Sequence, residues 1–369
     1  IVAVATADSV VETHLHTSWS VDAWVMGNRL TGPADAYKYA RGETIKHPMG
    51  FDIKIDTPLD FMGVTDHSEY VGVTKQANTP GSYVSKLPEA QPMIMKDPNS
   101  SEEQNRVFSY LLKLGAGAPV KAFMDPKITS TVWKENVQIA DEQNKPGKFT
   151  AFCSYEWTSM PDNRNMHRNV FFRDCAKVPE YPFSSLESTR PTDLWTWMDA
   201  QRKAGNDLLA ISHNANVSNG WMFPVDVDQT TGRPIDAAWA AARDRNERLT
   251  EIKQGKGQSE THPLLSPNDE FANYELFQAL LGLPADVGRI DRITGSYVRQ
   301  AFKDGIAMQD ARGYNPYKFG MAGGSDSHNS AAPYRQDNFF GLHASADATL
   351  ERRFAGVLIG GTMDVRLTN

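Results

Sequence analysis

With two cysteines in 369 residues, Cys153 and Cys175, the chain has no disulfide framework, and their spacing fits no CxxC pair for zinc or dithiol redox chemistry. They read as buried small hydrophobes, from which neither an oxidising nor a reducing compartment follows. Long apolar runs are missing too. None approaches the ~20 residues that cross a bilayer, so a soluble chain with no membrane partner is expected. Positive charge is sparse: 38 Lys and Arg stand against 45 Asp and Glu, a net charge of -7, with no basic run. That argues against a nucleic-acid partner. No GxSxG elbow is present, and neither cysteine has a histidine beside it in sequence, which disfavours a serine or cysteine nucleophile. A phosphate-cradling GxxxxGK[ST] loop is absent, as are internal repeats and low-complexity segments. The opening IVAVATA, residues 1 to 7, lacks a basic stretch. It reads either as the trimmed end of an export signal, with a periplasmic or secreted location, or as a plain first strand of a cytoplasmic protein.

What the chain does have is histidine in an ordered pattern. Six of the nine histidines lie in short strand-like segments beside carboxylates: His14-Leu15-His16, Asp66-His67, Glu156 followed by His167, His213, and Asp326-Ser327-His328. A strand sends residues i and i+2 to one face, about 6.5 Å apart, so each HxH or DxH pair converges on a point. The strand-like runs are Val10 to His16, Phe61 to His67, Phe149 to Trp157, Arg168 to Arg173, Leu208 to His213, and the weaker Leu249 to Gln254 and Phe319 to Ser325. Helix signals alternate with them: a capping box at Ser100 and Glu103 precedes Val107, Leu111 and Leu114, and Thr192 can cap a helix ending at Gly205. Trp195 and Trp197 in that helix read as core aromatics. Alternating strands and helices predict an α/β barrel of parallel βα units, one domain over residues 1–369 with insertions at about 72–148 and 215–247. In such barrels the C-terminal strand ends build the site, and the well-defined strands here all end in a would-be ligand. The 72–148 excursion either shapes a substrate pocket or merely covers the barrel.

Imidazole and carboxylate together suit Zn, Mn or Fe, and six histidines exceed what one ion needs. These residues, with the stretches ETHLHTSWSVDAW, ISHNANVSNG, KGQSETHPLLSPNDEF and GGSDSHN, resemble the PHP (polymerase and histidinol phosphatase) superfamily. Within it they look like a bacterial branch catalogued mainly as a domain of unknown function. The resemblance spans nearly the whole chain and implies a distorted (β/α)7 TIM-like barrel with helical insertions and two or three divalent ions. It assigns His14, His16, Glu156 and Asp326 to a first ion and Glu156, His167 and His213 to a second, with Glu156 as the bridge. Asp22, His67 and His328 fall to a third; some relatives have histidine where this chain has Asp22.

Other polar groups have two readings each. Asp66 alternates with His67, so it either accepts a ring N–H from a ligand histidine or caps a turn. Glu260 and His262, after the sixth strand, either line the site or structure their loop. Asn214, Asn216 and Asn219 could donate to substrate or simply favour turns. His47 and His343 read as ordinary surface groups. Arg168, Lys256 and Arg335 are candidate cations for substrate oxygens.

Clustered divalent ions supply an activated water near neutral pH and neutralise charge on a phosphoryl group. The expectation is therefore a phosphoester hydrolase whose nucleophile is water bridging two ions, acting on a small molecule. Its range would be broad, extending to triesters, phosphonates or sulfate esters, and a diester is favoured because no dense Arg/Lys cluster appears for a dianionic monoester. An amidohydrolase-type C–N hydrolase, or a metal-stabilised binding module without turnover, are the alternatives.

Overall fold

The computed structural model describes residues 10–277, 279–281, 283, 287–355, 357–358 and 364–365; the opening heptapeptide lies outside them. Seven strands follow one another around a nearly closed sheet: β1 (Val11–Glu12), β2 (Phe61–Gly63), β3 (Thr150–Trp157), β4 (Arg168–Phe172), β5 (Leu208–Ser212), β6 (Leu249–Gln254) and β7 (Gly320–Gly323). A two-residue strand, Gly257–Gln258, folds back on β6. All seven predicted strands are present. The two ends of the sheet meet just past β1 and β7, where Leu15 bridges Ser327, the Asp326 N–H donates to the His14 carbonyl and the His16 N–H donates to the Ser327 carbonyl.

The expected parallel order fails at one strand. β1, β2 and β3 run parallel, as do β5, β6 and β7, but β4 is antiparallel to both its neighbours. Residues 158–167 are too short for the dozen or more residues that a parallel crossover needs, so β3 and β4 form a hairpin.

Strand alternation separates inside from outside. On β3, Ala151, Cys153, Tyr155 and Trp157 join the main apolar cluster with Trp133, Trp195 and Phe172, whereas Ser154 and Glu156 face the interior, with Ser154 Oγ donating to the Val64 carbonyl. On β4, Val170 and Phe172 face outwards and Asn169 spans the interior, its Nδ2 donating to the Thr13 carbonyl of the strand opposite. Gly63 is required here, because a Cβ would strike Ser154 Oγ and the Phe171 ring.

Helices cover the outside. α1 (Val21–Val25) and α2 (Pro33–Ala40) follow β1. Between β2 and β3 come α3 (Ser101–Ala116), capped by Ser100 Oγ accepting from the Glu103 N–H at 3.4 Å, and α4 (Pro126–Gln143), capped by Asp125. The Trp133 ring of α4 packs edge-on against Tyr155. α5 (Pro191–Lys203) starts from Arg190, because Pro191 fits the first helical position better than the predicted Thr192 cap. α6 (Ala237–Asn246) and α7 (Val298–Arg312) complete the layer. Cys153 and Cys175 are not free: they form a disulfide. The antiparallel register places Phe172 opposite Cys153, and the chain just beyond it returns Cys175 alongside.

No helix among the described residues is long and apolar enough to cross a membrane.

Candidate metal centre

The strand ends bring the predicted ligands to one mouth. His14 and His16 leave β1, His67 follows β2, Glu156 ends β3, His167 precedes β4, His213 follows β5, and Asp326 and His328 follow β7. All of them are buried or nearly so. Three groups of ligating atoms lie close enough to share an ion, namely His14, His16 and Glu156, then Glu156, His167 and His213, then His16, His67 and His328, and the carboxylates of Asp326 and Asp22 adjoin the first and the last. In the first, His14 Nε2 lies 3.3 Å from both Glu156 Oε2 and Asp326 Oδ1, and His16 Nε2 lies 3.1 and 3.2 Å from the same two oxygens. Tetrahedral bonds of ~2.0–2.1 Å to one ion would separate its donors by roughly 3.3–3.4 Å. Glu156 Oε1 belongs to the second set, 2.7 Å from His167 Nδ1 and 3.3 Å from His213 Nε2. In the third, Asp22 Oδ2, carried by α1, is 3.2 Å from His67 Nε2 and 3.0 Å from His328 Nε2. Glu156 thus joins the first two sets, while His16 approaches His67 and His328 of the third.

Tautomers decide what these contacts mean. His328 Nδ1 is 2.8 Å from its partner, the Asp326 carbonyl, so it must be the donor, and Nε2 of the neutral ring faces Asp22 as a bare lone pair. His14 Nδ1 donates to Glu251 Oε2 at 2.9 Å, which leaves its Nε2 in the same state. His67 Nδ1 meets Thr158 Oγ1 at 2.6 Å, and that hydroxyl donates onward to Glu156 Oε1. Lone pairs aimed at carboxylate oxygens repel unless a cation or a proton stands between them. Protons answer only part of this. Burial disfavours charge on His14, yet Glu251 and Glu156 outweigh it and hold the proton to about 9; Asp22 and Glu156 likewise overcome burial to raise His67 well above the usual imidazole range. Burial wins at His16, His167, His213 and His328, whose values are lowered, so these rings stay neutral and free to ligate. The carboxylates are ready too: burial pushes Glu156 up, but the charge of His67 and the hydrogen bond to His14 hold it well below the carboxylate range, and His67 does the same for Asp22. The donor set therefore fits divalent ions, which would satisfy these contacts together.

Other predicted residues are placed differently. Asp66 accepts from Thr17 N–H at 2.6 Å and Thr17 Oγ1 at 2.7 Å; it clamps the turn after His16 and takes no ring N–H. Arg168 is not a substrate cation: on β4 it alternates with His167, points outwards and donates to Glu247 Oε1 at 2.8 Å. Arg335 is exposed and held by Asp337. Lys256 does reach the centre, its Nζ paired with Asp326 Oδ2. Asn214, in the left-handed region at φ 52°, lines the cavity beside His213, whereas Asn216 and Asn219 brace backbone, Asn216 Nδ2 on the Lys256 carbonyl and Asn219 Oδ1 on Asp291 and Arg292 N–H. Glu260 pairs with Arg299, and His262 Nδ1 accepts from the Leu264 N–H, so both structure their loop. His47 and His343 are buried, not surface groups: His47 stacks on Phe51, and His343 stacks on His328 with ring centres 4.2 Å apart.

Besides Thr158, the sequence does not announce three further contributors. Glu251 orients His14; Gln254 Nε2 donates to Asp326 Oδ2 at 2.6 Å; Glu12 Oε1 accepts from the His14 and Ser325 N–H groups. A register shift between Glu251 and Lys253 lets both Glu251 and Gln254 turn inwards, against strict alternation. Gly324 leaves room for this, since a Cβ there would collide with the Glu251 carboxylate and with His14 Cβ.

The chain belongs to a family of proteins of unknown function, DUF3604, whose sequence profile matches residues 10–364. No curated protein matches it.

Proposed function

We propose that the protein is a metal-dependent phosphoester hydrolase of the PHP type, acting on diesters within a broad range of small phosphoesters. The observation that carries this reading is the shared carboxylate: Glu156 offers one oxygen to His14 and His16 and the other to His167 and His213. His14, His16, Glu156 and Asp326 would hold one divalent ion, Glu156, His167 and His213 a second, and Asp22, His67 and His328 a third, with Zn, Mn or Fe suited to the donors. When bound, such ions supply an activated water and neutralise charge gathering on phosphoryl oxygens. In the reaction an oxygen of water adds to phosphorus, the P–O bond to the leaving group breaks, and that group departs with a proton as an alcohol or phenol.

The chain's own residues prepare this. Glu251, Thr158 and the Asp326 carbonyl fix the ring orientations of His14, His67 and His328. Lys256, beside Asp326, is positioned to meet a substrate oxygen, and burial lowers its pKa although Glu156, Asp22 and Glu251 oppose that. We place the protein in an oxidising compartment, periplasmic or extracellular, on the strength of the Cys153–Cys175 disulfide.

Elemental analysis of the isolated protein, paired with assays on p-nitrophenyl phosphodiesters and p-nitroanilides, tests the reading. At least two equivalents of transition metal and diester turnover abolished by chelation are expected. Full activity without metal would overturn it, and turnover of anilides alone would favour C–N hydrolysis.

A further inference from the structure

The cavity over the metal centre has a polar floor and apolar walls. His67, Glu156, His167, His213 and Asp326 form the floor. One wall comes from α3, where Phe108, Leu111, Leu112 and Gly115 stand at i, i+3, i+4 and i+7. Val107 and Leu114 of the same helix are buried in the core, so the helix spends one part of its apolar surface on packing and turns another to the cavity. Phe277, Leu280 and Leu281 also line it. Its volume is about 200 Å³, and an apolar cavity of about 150 Å³ already accepts a benzene ring. Among the described lining residues Lys256 is the only lysine or arginine, and it is paired with Asp326. Asn214 is buried; its Oδ1 accepts from Gln254 Nε2 at 2.7 Å, and its Nδ2 has no partner among the described residues. One ammonium and one amide donor, with no guanidinium beside them, suit a single negative charge; an apolar wall suits an ester arm that water solvates poorly.

We propose that this cavity is a subsite for an aryl-sized apolar ester arm, so that the preferred substrates are monoanionic phosphodiesters carrying such an arm, with Phe108, Leu111 and Leu112 as the specificity-determining residues. The proposal rests on the hydrolase reading for its reaction, but not for its binding preference.

The test compares kcat/KM of metal-replete protein on phenyl p-nitrophenyl phosphate and methyl p-nitrophenyl phosphate, which share a leaving group. The phenyl diester is expected to be favoured at least tenfold. Phe108→Ala should cut that ratio at least fivefold, and Phe108→Leu should keep most of it. Equal kcat/KM values, or a ratio unchanged in Phe108→Ala, would overturn the subsite. If neither diester is hydrolysed the hydrolase reading fails, and calorimetry on phenylphosphonate and methylphosphonate then decides the subsite. A tenfold preference for the phenyl compound, lost in Phe108→Ala, upholds it; equal binding, or none, overturns it.

Discussion

His167 and Arg168 are neighbours in sequence and belong to two different kinds of buried charge. Arg168 enters a set of opposite charges: its Nε donates to Glu247 Oε1, Trp195 Nε1 donates to the same oxygen at 2.8 Å, and Arg243 Nη2 forms an ion pair with Oε2 at 3.1 Å. Donors there face acceptors. His167 enters the opposite arrangement, in which nitrogens with free lone pairs and carboxylate oxygens crowd together; His16 Nε2 and both ring nitrogens of His213 are buried without a hydrogen bond among the described residues. Burial and charge are alike in the two regions. The difference is complementarity: a buried charge set beside its opposite braces the fold, and buried acceptors aimed at one another mark where something else binds.

The largest effect should come from the bridging carboxylate. Glu156→Gln removes the charge common to two donor sets and is expected to lose about two metal equivalents by elemental analysis and on the order of a thousandfold in diester turnover. Retained metal and rate would erase the contrast between the two regions. Arg168→Met should do the reverse, leaving metal content per folded molecule unchanged while lowering unfolding free energy in urea by about 3–5 kcal/mol, because Glu247 keeps only part of its pairing. A variant that lost metal but not stability would place Arg168 with the site after all. Glu251→Gln is a milder perturbation, expected to weaken metal binding or turnover about 10–100-fold by loosening the His14 ring, and competition with a chelator measures it. The smallest effect is in pH. Burial would raise Glu247, but Arg168 and Arg243 outweigh it and lower its pKa below 4.5. Its contribution is thus complete above that value and is lost as pH falls through the folded-state value, so the stability gap between wild type and Arg168→Met should narrow below pH 4.5. A gap independent of pH would mean that Arg168 acts through packing alone.

Much of the fold was legible because the strands are short apolar runs that end in a histidine or a carboxylate, and period-two spacing put those ends on one face. The sense of β4 was not read, although the ten residues before it leave no room for a crossover. Glu251 and Gln254 were hidden by the bulge in β6, whose register shift no alternation rule anticipates. Arg168 adjoins His167 in sequence but lies on the other side of the strand, because successive strand residues face opposite ways. The disulfide depended on the β3–β4 pairing, and the burial of His47 and His343 on contacts with Phe51 and His328 that sequence separation conceals.

The seam between the first and last strands has a consequence for how the protein matures. Two ligands lie on one lip and one on the other, so His14 and His16 wait for Asp326, some three hundred residues later, before the first of the donor sets is complete, whereas Glu156, His167 and His213 are all in place by β5. A chain emerging from the ribosome would keep that clasp open until β7 is made, and a fragment cut short before β7 would keep the donors of the second set but hold metal weakly or not at all at the first.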